Sequence, residues 1–74
     1  MKIYNNYKLT LEDFNAWSGA VDTKQVIIDN NKEVDFEFLI EELYPEGIEE
    51  TQLNDILWFE SDWIYKNLNI REDD

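Results

Sequence analysis

The chain contains no cysteine and no histidine, one proline, two glycines, and only six basic residues against eighteen acids. Without cysteine there are no disulfides, no thiolate zinc sites and no thiol nucleophile. Without histidine the commonest general base and the commonest metal ligand are missing. So few bases argue against direct binding to nucleic acid, which requires cations at the phosphates. No apolar run approaches the ~18 residues that cross a bilayer. Residues 1–6 lack the apolar centre of a signal peptide, and an acidic surface is repelled by anionic lipid. The expected setting is the cytoplasm, with no membrane partner, no cofactor and no metal.

What the chain does have is acid and aromatic surface. Its 74 residues carry a formal charge of −12, and 15% are aromatic. That aromatic content separates it from disordered acidic chains, which are poor in such residues. Length allows one domain over 1–74, with 71–74 expected to fray. A chain this short buries only ~60% of its unfolded surface, so large aromatics must carry much of the core.

The charges are unevenly placed. Residues 1–32 balance Glu12, Asp13, Asp22 and Asp29 against Lys2, Lys8, Lys24 and Lys32. Between Lys32 and Lys66 there is no base, while Glu33, Asp35, Glu37, Glu41, Glu42, Glu46, Glu49, Glu50, Asp55, Glu60 and Asp62 all fall in that interval. This asymmetry is the strongest functional signal in the sequence.

The apolar spacing predicts an all-α domain, a small bundle of three or four short helices with a short N-terminal strand or extended arm. A strand in residues 2–8 could pair with residues 25–29. Thr10 is a good N-cap, with Glu12 and Asp13 in the following turn, so a first helix is expected from there, with Leu11, Phe14, Trp17, Val21 and Ile28 on one stripe. Gly19 weakens it and allows close approach of a neighbour. Asn30-Asn31 reads as a loop. A second helix is expected over 33–44, with Phe36, Leu39, Ile40 and Leu43 at i, i+3, i+4, i+7, ended by Pro45 and Gly47. The last helical segment starts near Glu50 or Thr51. If continuous, it places Glu60 in the face formed by Leu53, Ile56, Leu57, Trp63, Ile64 and Leu68; the alternative is a break, with Ser61 capping a new helix. The expected core is Phe14, Trp17, Val21, Phe36, Leu39, Ile40, Leu43, Leu53, Ile56, Leu57 and Ile64.

Catalysis finds little support. Ser18 has neither His nor an obvious Lys to activate it. The acids from Asp29 to Glu37 alternate as in a calcium loop, but Val34 stands where glycine is needed and Ile40 where glutamate is needed. No enzyme activity is expected. Glu33, Glu37 and Glu41 stand one turn apart with Glu42 beside them, and like charges at that spacing destabilise a helix by ~0.2–0.5 kcal/mol per pair. Their ~6 Å spacing is similar to that of phosphates along a strand, so the row could occupy a basic groove built for nucleic acid; the alternative is a solvated face. On a continuous last helix Asp55, Trp58, Asp62 and Tyr65 form an outer stripe. Trp58 is then either an aromatic binding anchor or packed against another element. The partner-binding set is Glu33, Glu37, Glu41, Glu42, Glu49, Glu50, Asp55, Trp58 and Asp62. If the row binds, Glu37→Lys with Glu41→Lys removes binding and leaves the fold intact.

Several stretches carry a resemblance: Phe14-x-x-Trp17-Ser18-Gly19-Ala20-x-Asp22-Thr23, Glu41-Glu42-Leu43-Tyr44-Pro45-Glu46-Gly47, Glu50-Thr51-Gln52-Leu53-Asn54-Asp55-Ile56-Leu57-Trp58-Phe59-Glu60, and Asp62-x-Ile64. Together they resemble a group of small acidic proteins encoded by prophages and conjugative elements of Gram-positive bacteria, over most of residues 14–68. Trp63-Ile64-Tyr65 is more aromatic than that group leads one to expect. The group has no assigned activity, so the resemblance carries over no functional residue. It implies a bacterial intracellular setting on a mobile element, where small acidic inhibitors that imitate DNA, of anti-CRISPR or anti-restriction type, recur. The expectation is a non-catalytic protein-binding module that mimics nucleic acid against a host nuclease or DNA-binding protein. The alternative is a structural accessory protein that self-associates, as a homodimer, with acidity serving solubility.

Overall fold

The computed structural model describes residues 1–3 and 7–70; the expected fraying of 71–74 lies outside them. The chain forms a small bundle of four short helices with a minimal N-terminal hairpin: β1 (Lys2–Ile3), β2 (Tyr7–Lys8), α1 (Ala20–Asp29), α2 (Glu33–Leu43), α3 (Glu50–Phe59) and α4 (Ser61–Leu68). α1 lies along α3, and α2 packs against α1 and α4.

The N-terminal strand pairs locally, not with residues 25–29. β1 and β2 are antiparallel, with Lys2 opposite Lys8 and Ile3 opposite Tyr7. The Met1 ammonium donates to the Leu9 carbonyl at 2.7 Å, and the Leu9 amide donates back to Met1 O at 2.8 Å. On its other side β1 meets the α2–α3 loop, where Ile3 forms a parallel bridge with Ile48 and the Ile48 amide donates to Lys2 O. Met1, Ile3 and Ile48 are buried as a result.

Thr10 begins a single turn and no helix. Its Oγ1 accepts the Asp13 amide at 3.2 Å and its carbonyl accepts Phe14. Lys24 then closes that turn from α1, its Nζ donating to the carbonyls of Glu12 and Phe14 at 3.0 and 2.6 Å. The chain reverses at Ser18, which holds a left-handed φ of 56°, and α1 starts only at Ala20. The physical cause is Asn54 of α3. It is fully buried, its Oδ1 accepts the Trp17 amide at 3.0 Å, and its Nδ2 donates to the Trp17 carbonyl at 3.3 Å. An amide held by a side chain from another helix cannot donate into a helical ladder of its own, and the Trp17 carbonyl, which also accepts the Ala20 amide at 3.2 Å, closes a turn there instead.

The remaining helix ends follow local chemistry. Asn31 and Asn69 adopt φ of 58°, and the next amides reach back to Ile27 O and Tyr65 O; this is the left-handed C-terminal closure that asparagine tolerates. α2 begins with Glu33 and Asp35 in its first turn, favourable against the helix dipole, and stops before Pro45. α3 and α4 are separate helices. Glu60 is the junction, exposed and at the N-cap position of α4, where its carbonyl and not its side chain is engaged, by the Ile64 amide, and Ser61 is the first residue of α4, not its cap.

The core contains Phe14, Phe36, Ile40, Leu53, Leu57 and Ile64, with Leu39 and Ile56 packed at its edge. Trp17, Val21 and Leu43 are not in it; they are 43%, 46% and 49% exposed. Trp17 leaves the core because no helix exists before Ala20 to carry it inward, and Val21, the second residue of α1, lies on the side of that helix away from the buried Ala20, Thr23 and Ile27. Their place is taken by Leu11, Ala20 and Ile27, and the α4 end adds Tyr65, Leu68 and Ile70.

Gly19 explains the small residues beside Trp17. A Cβ there would collide with Nε1 and Cδ1 of the Trp58 indole. Gly19→Ala is therefore expected to push the indole off this site and to cost about 1 kcal/mol, from lost aromatic packing. The Trp58 indole N–H resonance should move in an NMR spectrum; an unmoved resonance would show that Gly19 is not what admits the ring.

Candidate binding face

The acids between Lys32 and Lys66 do not form one uniform row. On α2 the Glu33, Glu37, Glu41 face turns partly towards the chain's own N-terminal segment. Glu37 Oε2 accepts the amide of the fully buried Leu11 at 2.8 Å. Glu41 Oε2 lies 3.9 Å from the Met1 ammonium. Glu33 and Glu37 are half-buried. Glu37 thus serves the fold, and its exchange for lysine is not neutral to stability.

The other nine acids of that interval are exposed: Asp35, Glu41, Glu42, Glu46, Glu49, Glu50, Asp55, Glu60 and Asp62. They come from α2, the α2–α3 loop, α3, the junction and α4, so the acidic character spans three helices. Lys32 stands 3.9 Å from Asp35, an exposed i, i+3 pair of small energetic weight. Among the described residues no group of three or more acids is arranged to hold a metal ion, and no helix is long and apolar enough to cross a membrane.

Trp58 both packs and stays open. One part of the indole covers Gly19, the ring stacks on Phe59 with centroids 4.8 Å apart and planes 11° from parallel, and 41% of the residue remains exposed. The break at Glu60 dissolves the outer stripe expected of a continuous helix: Asp55 and Asp62 stay exposed, whereas Tyr65 turns into the core.

Sequence reasoning missed a second exposed feature, the apolar side chains between α2 and α4. Phe38 and Leu43 on α2 are 65% and 49% exposed, and Trp63 on α4 is 37% exposed. The signal was present, because Val34, Phe36, Phe38, Leu39, Ile40 and Leu43 give α2 more apolar positions than one buried face uses. No known protein family, curated protein or solved structure matches the chain.

Proposed function

We propose that this chain is a non-catalytic protein-binding domain that presents an acidic surface to a basic partner. In its most specific form it is a nucleic-acid mimic that occupies the basic groove of a bacterial host nuclease or DNA-binding protein, as an inhibitor of anti-CRISPR or anti-restriction type. The observation that carries this reading is the exposure of nine acids in an interval without a base. Such a surface focuses a negative field that steers a basic partner towards it. Glu42, Glu49, Glu50, Asp55 and Asp62 supply the phosphate-like charges, with Trp58 as the aromatic contact beside them; Glu37 and Glu41 contribute less, since each faces the N-terminal segment.

The test is capture from a Gram-positive lysate by the immobilised domain, with and without competitor DNA and added salt. A single nuclease or DNA-binding protein should be retained and then released by either addition. Glu49→Gln with Asp55→Asn and Asp62→Asn keeps side-chain size and should lower the association rate by about tenfold. Retention that ignores salt, DNA and these three changes would defeat the proposal.

A further inference from the structure

The α2–α4 seam carries two open cavities, each with an apolar wall and acids at its edge. One, of about 290 Å³, is lined by Leu43, Tyr44, Ile56, Glu60 and Trp63. The other, of about 250 Å³, is mixed: Phe38, Leu39 and Leu68 line it together with Lys32, Asp35, Glu42, Asn67 and Asn69. Leu39 and Leu43 are one turn apart on α2, and Trp63 and Asn67 are one turn apart on α4. Leu43 shares a cavity with Trp63 while Leu39 shares the next with Asn67, so the helices run in opposite directions and the cavities follow one another along the seam. The lining residues of the two cavities are offset by about one helical turn, ~5.4 Å, along each helix, which makes a trough with two partly apolar wells.

Resting on the acidic-surface reading above, we infer that this trough is the docking groove for a basic amphipathic helix of the partner, which seats apolar side chains at i and i+4 in the two wells. Charge selects the occupant. Glu60 lines one well, and Asp35 and Glu42 line the other; the single lining base, Lys32, sits beside Asp35. Lysine and arginine flanking the apolar stripe of an incoming helix would meet these carboxylates. A second copy of the chain would bring a like-charged rim against this one. An extended peptide would leave its backbone groups without partners over a trough walled by side chains, whereas a helix satisfies its own. Helix-in-groove recognition needs just these elements: apolar wells, spacing of one turn, and complementary charge at the edges.

The test uses a synthetic lysine–leucine peptide with leucines at i and i+4, a scrambled peptide of identical composition, and three forms of the domain, with binding read by calorimetry. The wild type should bind the patterned peptide about tenfold or more tightly than the scramble, the loss of a buried anchor being worth about that factor. Phe38→Ser with Leu43→Ser alters two exposed residues and should erase the difference between peptides. The Glu49, Asp55 and Asp62 amide variant should weaken both peptides alike. Equal binding of the two peptides by wild type overturns the groove and leaves the acidic reading standing. Absence of binding by either peptide at low salt overturns both. Sedimentation as a dimer that the Phe38 and Leu43 changes dissociate also overturns the groove, by assigning it to a second copy.

Discussion

Asn54→Ala is expected to lower stability by about 2–4 kcal/mol, the range for removing a buried group that satisfies both a donor and an acceptor. Asn54 is fully buried in α3 and holds the Trp17 amide and carbonyl together. Without it the Trp17 amide loses its partner, the Trp17 carbonyl keeps only the Ala20 amide, a cavity opens in α3, and the turn at Ser18 loses its anchor just ahead of α1. For a domain of this size, ~4–8 °C in Tm follows each kcal/mol, so a thermal melt should shift down by about 8–32 °C. Asn54→Asp offers a sharper contrast. It keeps an acceptor for the Trp17 amide, loses the donor to the Trp17 carbonyl, and buries a charge, so it should be no better than alanine. A melt of Asn54→Ala within about 2 °C of wild type would show that the paired bonds contribute little.

The second large effect concerns two residues that the sequence offers as a clean probe of binding. Glu37→Lys with Glu41→Lys should cost about 2–3 kcal/mol, almost all of it from Glu37. The Glu37 carboxylate accepts the Leu11 amide, and a hydrogen bond to a charged group contributes ~1.5–3 kcal/mol. A lysine there sets a cation against an N–H donor. Glu41→Lys alone should cost less than the Glu37 change, because its partner is 3.9 Å away and its side chain is 45% exposed, which leaves the new charge largely solvated. Glu37→Gln, which retains an acceptor oxygen, should recover much of the loss. Urea midpoints of the four proteins decide the matter. If the double variant matches wild type, the Leu11 bond is unimportant and the pair returns as a test of binding.

These two cases also mark how far the sequence could be read. Signals carried by neighbours were legible: Pro45 and Gly47 ended α2, Asn30-Asn31 made the loop after α1, and the conflict at Glu60 resolved as a break. The start of α1 was not, because Thr10, Glu12 and Asp13 do cap a turn, and what stops that turn from growing is Asn54, 37 residues later. Nothing near Trp17 announces this. The candidate face divides in the same way. The interval without bases is visible in the chain, and its exposure follows from the cost of burying charge. That Glu37 is reserved for Leu11, and that Leu43 lies open beside Trp63, depends on which helices come together.

The bridge between Ile3 and Ile48 bears on how the chain reaches this structure. Helices assemble from contacts a few residues apart, but this pairing closes a loop through most of the polypeptide and must meet the entropy of that closure before it returns any burial. Ile3, Met1 and Ile48 enter the core through it. The domain therefore has a higher contact order than its helical content implies, and its folding rate is set below that of a helical bundle built from local contacts alone.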